Sequence, residues 1–216
     1  MSRTQERTTD LMFVVGLFTA PISCGAQIMR TLTTTNGVSF AHYVAFTFSF
    51  VIGLVLALDS RRENPGRIIT QQVYLFAMWA VGGIAMIATV ILRGNYHWSS
   101  TDTVITILVL VGVVSTVFWA ASRKISVKDP AVKAWTSISL KSVPQFLLVR
   151  KIFLEGGSGI TGAFIVVGHI SILMRLVPLV ISAKTSGMDR SKYWLIVAEI
   201  LNSLSWLAVT LIWSLK

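Results

Sequence analysis

Charged side chains are scarce in this 216-residue chain, where Asp, Glu, Lys and Arg together make up 13% of the residues. An ordinary soluble domain carries roughly 25% charged residues. A water-soluble protein of this size needs a more polar surface than these residues supply. The shortage of charge therefore predicts an exterior that faces lipid, and it argues against a soluble enzyme.

Cysteine and metal-ligand patterns are also nearly absent. Cys24 is the only cysteine, so the chain can form no internal disulfide. His42 and His169 lie in different apolar runs and form no i, i+4 pair, and isolated histidines of this kind more often bond a backbone carbonyl than a metal. The sequence therefore predicts no metal site and no cofactor.

The patterns of catalytic sites and of membrane barrels are missing as well. No nucleophile elbow or pair of carboxylates is present, and the Gly-rich stretch 156–159 lacks the Lys-Ser/Thr of a phosphate-binding loop. Short segments of alternating polarity, which characterise transmembrane barrels, do not occur. We therefore expect a helical membrane protein that is not an enzyme.

The chain does contain seven long apolar runs. A bilayer core of roughly 30 Å needs about 20 apolar residues to be crossed as a helix. The predicted spans cover residues 11–29, 40–58, 73–92, 103–121, 131–149, 160–181 and 193–213. The fifth is the most polar, because it includes Lys133, Lys141 and Gln145. We predict an all-α protein with seven transmembrane helices joined by short loops.

The fourth span differs from the others because it contains no ionisable group and no side-chain amide. A helix that is apolar all round can face lipid on most sides. We therefore predict a 3+1+3 arrangement, with a first triple-helix repeat in 1–101, a linker helix in 102–128 and a second triple-helix repeat in 129–216. A single linker span makes the two repeats parallel, which is a transporter plan.

The net charge of +10 is distributed as membrane topology requires. Most basic residues lie in short loops or near the ends of apolar runs, and they form no aromatic-interleaved patch, so we predict the lipid bilayer and no nucleic acid as partner. With seven spans, twelve Lys and Arg residues lie on the side of the N-terminus and five on the other. This bias predicts a cytoplasmic N-terminus.

Two segments support a duplicated architecture. Residues 26–30 (Ala-Gln-Ile-Met-Arg) are followed by 36–39 (Asn-Gly-Val-Ser). In the second half, Pro-Gln at 144–145 is followed by Arg-Lys at 150–151 and by Gly-Gly-Ser-Gly at 156–159. Each copy has a Gln near the end of the first helix of a triplet, then basic charge, then a Gly/Ser turn. This pattern resembles the PQ-loop of the SWEET sugar transporters and the cystinosin-like transporters.

The resemblance implies alternating access through a site between the two repeats. In that mechanism Pro21, Pro144 and Pro178 would act as hinges, because proline removes a backbone hydrogen bond and can kink a helix. The first motif copy has Ala26 where the family has Pro, and span two contains no proline. The SWEET resemblance also implies an extracellular N-terminus, opposite to the orientation that the basic residues predict.

Ionisable groups at membrane depth are functional candidates because their burial there is costly. Lys141 lies near the middle of the fifth span, either as a substrate-binding cation or as a snorkelling or paired structural residue. Arg175 and Glu199 are expected at similar depths on consecutive antiparallel helices, where a structural ion pair is the favoured interpretation. The alternative is proton coupling through Glu199, the only acid in any predicted span.

Other polar and aromatic side chains complete the candidate set for substrate binding and translocation. Gln145 shares a helix face with the central lysine of span five, and Asn202 and Trp206 share a face of span seven. Asn202 resembles the central Asn with which SWEET transporters bind substrate, and Trp79 lies in the matching helix of the first repeat. Both tryptophans can alternatively serve in packing alone. The remaining candidates are Gln27, His42 and His169.

These observations predict a transporter of a small polar solute of the sugar, amino acid or carboxylate class. A net positive membrane interior favours a substrate with an anionic or zwitterionic group. The alternative is a seven-helix receptor or sorting protein, of the KDEL-receptor kind, that binds a small ligand or a peptide terminus. Either function is compatible with a homo-oligomer.

Overall fold

The computed structural model describes residues 3–63, 65–94 and 96–216, which are helical almost throughout. No strand occurs among the described residues. The helices are α1 (Arg3–Thr33), α2 (Phe40–Glu63), α3 (Arg67–Arg93), α4 (Ser100–Ser122), α5 (Pro130–Ser137), α6 (Val143–Glu155), α7 (Gly162–Ser186) and α8 (Arg190–Ser214). A π-helical segment, Ile138–Ser142, joins α5 to α6, and we call the continuous stretch from Pro130 to Glu155 the fifth rod.

Six helices of the described chain are long and apolar enough to cross a membrane, and they confirm six of the seven predicted spans. They comprise Asp10–Thr33, Phe40–Glu63, Arg67–Arg93, Ser100–Ser122, Gly162–Lys184 and Arg190–Ser214. The protein is therefore an integral membrane protein. The fifth predicted span, 131–149, lies in the fifth rod, whose α-helical pieces are each too short to qualify. That this rod crosses the membrane stays a prediction.

Helix starts follow local capping chemistry. The Asp129 side chain accepts a hydrogen bond from Ala131 N, with Pro130 at the start of α5, as the sequence predicts. The expectation that Asp102 caps α4 is wrong by one turn. Ser99 is the N-cap, and Asp102 is the third helical residue of a reciprocal capping box.

The outer surface is apolar, and α4 illustrates it best. Leu110, Val114 and Phe118 are exposed, whereas Ile105 and Ala120 are buried against the rest of the protein. Such large exposed apolar side chains would be unfavourable in water and are expected where lipid is the solvent. The structure thus agrees with a fourth helix that faces lipid over most of its surface.

Helix packing follows the same pattern in both halves of the chain. In the first half, α3 packs against both α1 and α2. In the second half, α8 packs against the fifth rod and against α7. Between the halves, α1 contacts α7, and α2 contacts the fifth rod, while α4 packs on α2 and on the fifth rod. The first helix of each half therefore contacts the second helix of the other half.

Candidate functional site

The π-helical segment of the fifth rod positions Lys141. Because Pro144 has no N–H, the carbonyl of Leu140 cannot receive its usual α-helical hydrogen bond, and the preceding turn widens. Val143 N instead donates to Ile138 O, which is a π-helical bond. Such π-bulges are frequently found at functional sites. The widened turn breaks the simple i, i+4 relation, yet Lys141 and Gln145 both face the same cavity.

That cavity lies between the two halves of the chain. The first half contributes Ser23 from α1, Phe46 and Phe50 from α2, and Trp79 from α3; the second contributes Lys141, Gln145, Phe164, Gly168, Ser171, Arg175, Asn202 and Trp206. Its volume is about 20 Å³, which holds about one water molecule. In this conformation the cavity is therefore nearly closed.

A charged cluster from α7 and α8 borders the cavity. Arg175 Nε donates to Glu199 Oε1 at 2.8 Å. Asn202 Nδ2 donates to the second oxygen, Glu199 Oε2, at 3.3 Å. The predicted ion pair between consecutive helices is therefore present, and both carboxylate oxygens of Glu199 have a donor. Arg175 and Asn202 line the cavity, whereas Glu199 lies behind them.

Three buried polar atoms that face this cavity have no hydrogen-bond partner among the described residues. They are Ser23 Oγ, Ser171 Oγ and Asn202 Oδ1. Leaving a buried polar atom unpaired costs about 1–3 kcal/mol, so native structures usually avoid it. Here the unpaired atoms belong to three helices from both halves and converge on one cavity. Their arrangement is typical of a site that is completed by a bound molecule or by water.

An aromatic wall formed by Phe46, Phe50 and Trp79 faces these polar groups. The rings of Phe50 and Trp79 are stacked, with 5.3 Å between centroids and 13° between planes. Phe46 contacts both rings edge-on. Lys141 Nζ lies 4.9 Å from the centroid of Phe50, within the range of a cation–π contact. The cavity lining thus combines aromatic rings with polar and cationic groups, and Lys141 contacts both.

Gly168 allows Trp206 to approach α7. A Cβ at this position would lie 2.8 Å from the Trp206 indole, so only glycine fits without displacing the ring. The absent side chain of Gly168 thus lets α7 and α8 pack closely here. Trp206 also contacts Phe164 and His169, and it therefore has both a packing role and a position in the cavity lining.

Three predicted site residues do not line the cavity. Gln27 is fully buried, and its amide joins the halves: Nε2 donates to Gly159 O at 2.7 Å, and Oε1 accepts from Thr161 N at 3.1 Å. His169 Nε2 lies 2.7 Å from Thr210 Oγ1 on α8. His42 is buried next to the rings of neighbouring α2 residues, and neither of its nitrogens has a partner. No group of three or more potential metal ligands occurs among the described residues.

The three candidate hinge prolines have different surroundings. Pro21 and Pro178 lie inside α1 and α7, which continue past them as α-helix. Pro144 stands at the start of α6, directly after the π-helical segment. Of these three prolines, Pro144 alone therefore interrupts its helix.

A fully buried ionic cluster lies outside the cavity and was missed by the sequence analysis. Lys151 Nζ lies 2.8 Å from Asp102 Oδ2, and neither side chain is exposed to solvent. Ser39 and Tyr96 also donate to the Asp102 carboxylate, at 2.7 and 2.6 Å. Burial and this bond raise the pKa of the Tyr96 phenol above its ordinary value. Glu155 adds a second carboxylate, 3.1 Å from Lys151.

Lys151 is one of the five basic residues counted on the side opposite the N-terminus. It belongs to α6 and is completely buried. The sequence did contain a usable signal. Asp102 stands at the start of the fourth predicted span, and Lys151 lies just beyond the end of the fifth. Because consecutive helices are antiparallel, these two positions lie at similar depth. The same relation places Arg175 beside Glu199 in the next two helices.

A larger groove lies between α1 and α3, but it lacks the unpaired polar atoms of the small cavity. It has a volume of about 440 Å³ and is lined by residues of α1 and α3, including Asp10, Arg67 and Gln71. These polar groups already bond one another, since Arg67 and Gln71 both donate to Asp10. The smaller cavity, with its unpaired polar atoms, is therefore the better candidate site.

No family model matches the chain, and no curated protein or solved structure matches it.

Proposed function

We propose that this protein is a transporter of a small polar solute, which crosses the membrane by alternating access through the cavity between the two halves. In this proposal the fifth rod is a seventh transmembrane helix, and the chain has a 3+1+3 plan. At 1.5 Å per residue the rod is roughly 39 Å long, which is sufficient to cross a bilayer core.

The packing of the helices supports two parallel repeats. In each half the third helix packs against the first and the second, and between the halves the first helix of one contacts the second helix of the other. This reciprocal pattern is what an axis along the membrane normal would produce, and α4 would then be the linker.

The single observation that carries the proposal is the set of unpaired polar atoms in the cavity. Ser23 belongs to the first half, whereas Ser171 and Asn202 belong to the second. Substrate sites of transporters with such repeats lie near the bilayer midplane at the repeat interface. A purely structural interface would satisfy or remove these groups, because unpaired polar atoms are costly in a membrane interior.

One end of the interface is closed by contacts between the halves. Besides the Gln27 bonds, Gly159 N donates to Asn36 O at 2.8 Å, and Arg30 Nε donates to Ser158 O. These contacts join the loop after α1 to the loop after α6. Alternating access requires that they break and re-form, and the interrupted helix at Pro144 is the best candidate for the hinge.

Uptake into liposomes tests this function. The purified full-length protein is reconstituted, and uptake of labelled sugars, amino acids and carboxylates is compared with that of protein-free liposomes. We expect saturable uptake of one solute class, reduced when Ser171 and Asn202 are replaced by Ala. Saturable binding of a ligand without any uptake would instead favour the receptor alternative, and neither binding nor uptake would contradict both.

Proton coupling is tested in the same system. Uptake is measured with and without an inward proton gradient, for the natural sequence and for Glu199→Gln. Because Arg175 and Asn202 bond both oxygens of Glu199, we propose that this residue is structural and that uptake does not depend on the gradient. A gradient dependence that disappears in Glu199→Gln would assign the coupling to Glu199.

A further inference from the structure

The charges around the cavity do not cancel. Arg175 is paired with Glu199, the only acid within the predicted spans. Among the described residues, Lys141 forms no ion pair, and its ammonium group faces the Phe50 ring instead. An unpaired cation in a low-dielectric interior is costly unless something compensates it. The cavity therefore has one unbalanced positive charge when the three groups are ionised.

The free polar groups of the cavity include several hydrogen-bond donors. The ammonium of Lys141 has three N–H donors, and the Ser23 and Ser171 hydroxyls can each donate one hydrogen bond. A carboxylate accepts hydrogen bonds and does not donate them, so it is complementary to this set. The stacked rings of Phe50 and Trp79 also line the cavity and add aromatic surface beside these donors.

The described lining of the cavity offers no counter-ion to an ammonium group, and its one unpaired amide acceptor is Asn202 Oδ1. No acidic residue occurs among the described residues that line the cavity. The one nearby acid, Glu199, already accepts from Arg175 and Asn202. An amino acid would therefore bury its ammonium group without a free counter-ion, beside the existing cations. This disfavours a zwitterion relative to a simple anion. It narrows the substrate class that the sequence predicts, which included both anionic and zwitterionic solutes.

Building on the proposed function, we infer that the cavity binds small organic monoanions that combine a carboxylate with a flat apolar body and lack an amine. The carboxylate binds Lys141 and the serine hydroxyls, and the apolar body lies against Phe50 and Trp79. Since the closed cavity holds about one water molecule, the anion enters in a conformation in which the two halves have separated.

Three probes of the same shape test this class without any mutation. Benzoate, benzamide and benzylamine share a ring and differ in the charge of the attached group. Their binding to the purified full-length protein is measured by calorimetry and by thermal shift, and their uptake is measured in liposomes. We expect benzoate to bind, and we expect benzamide and benzylamine to bind at least about tenfold more weakly. The reason is that charge-assisted hydrogen bonds are stronger than neutral ones.

Variants assign the interaction to the named residues. Lys141→Met should weaken benzoate binding roughly 10- to 100-fold, whereas Lys141→Arg should retain most of it. Lys133→Met is the matched control, since it removes a lysine of the same rod that does not line the cavity. Phe50→Leu should weaken binding roughly 3- to 10-fold through the lost aromatic contact.

The outcomes separate this inference from the proposed function. Saturable uptake of a neutral sugar or an amino acid, with no binding of benzoate, would overturn the inference and leave the transporter function standing. Equal binding of benzoate and benzamide, or unchanged benzoate binding in a folded Lys141→Met variant, would also overturn it. Benzoate binding that depends on Lys141 but occurs without uptake would support the anion site and contradict the transport function.

Discussion

The ammonium of Lys151 and the carboxylate of Asp102 lie 2.8 Å apart in a position where neither side chain is accessible to solvent. They connect the start of α4 to the last turns of α6, and Ser39 brings the start of α2 into the same cluster. Five side-chain and backbone donors besides Lys151 converge on one carboxylate, from Ser39, Ala41, Ser99 and Tyr96. Such dense hydrogen bonding is what allows a buried charge pair to be tolerated.

Removing one partner of this pair should be more harmful than removing both. Lys151→Met leaves the buried Asp102 carboxylate without a counter-ion and should cost about 3–5 kcal/mol of unfolding free energy. Asp102→Asn should cost less, because Lys151 keeps its ion pair with Glu155. The double variant leaves neither charge and should be less destabilised than the sum of the two single variants. Thermal unfolding of the purified protein in detergent measures all four forms. Strictly additive losses would contradict a direct interaction between the two groups.

Gly168 should tolerate no side chain, in contrast to Gly25. In Gly168→Ala the new Cβ would lie 2.8 Å from the Trp206 indole, so the ring must move, at a cost of about 1–3 kcal/mol. We expect a lower unfolding temperature and weaker ligand binding, since Trp206 lines the cavity. A Cβ at Gly25 meets no atom within 4 Å, and Gly25→Ala should be neutral or stabilising. Equal effects of the two substitutions would mean that the α7–Trp206 contact is not tight.

Gln27 should stabilise the contact between the halves. Gln27→Leu keeps the volume but leaves the Gly159 carbonyl and the Thr161 N–H without their partner, at about 1–3 kcal/mol for each buried group. Gln71→Leu is the comparison, because it removes a hydrogen bond to the partly exposed Asp10. The unfolding temperature should fall clearly more for Gln27→Leu. A similar decrease for both would argue against a buried connection at Gln27.

Orientation can be measured with single cysteines. The native Cys24 is buried and should not react with membrane-impermeant maleimides, so Val127→Cys and Ser158→Cys can be compared directly in intact cells. Both positions are exposed and lie in loops at opposite ends of the helices. The basic-residue count predicts labelling of Ser158→Cys from outside and of Val127→Cys only after the cells are opened. The reverse pattern would support the orientation that the SWEET resemblance implies.

Much of the fold could be predicted from the sequence because lipid imposes a simple rule. In lipid, the backbone N–H and C=O groups of a run of about 20 apolar residues find their hydrogen-bond partners within a spanning helix. Six such runs are confirmed as helices of suitable length. The fifth was harder, because its polar residues and Pro144 interrupt both the apolar pattern and the helix. Local sequence does not reveal that a proline will be accommodated by a π-helical turn instead of a kink.

Depth along a helix predicted one part of the candidate site. Arg175 and Glu199 pair because consecutive helices place them at one level, and that relation can be read from residue numbers. The two glutamines of the repeated motif look equivalent in sequence but have different partners. Gln27 bonds the loop after α6, whereas Gln145 accepts from Ser205 on α8. Ser23 and Ser171 were missed, because an ordinary serine in a helix carries no signal of whether its hydroxyl finds a partner.

The attachment of α4 to α6 has a consequence for the surrounding membrane. This helix exposes most of its apolar surface to acyl chains, and its first turn is fixed to the fifth rod through Asp102 and Lys151. Stretching or thinning of the bilayer changes the preferred tilt of such a helix at a modest cost per ångström. In the proposed transporter, tilting of α4 would pull on the rod that contains Lys141, so we expect acyl-chain length to shift the equilibrium between the closed cavity and an open one.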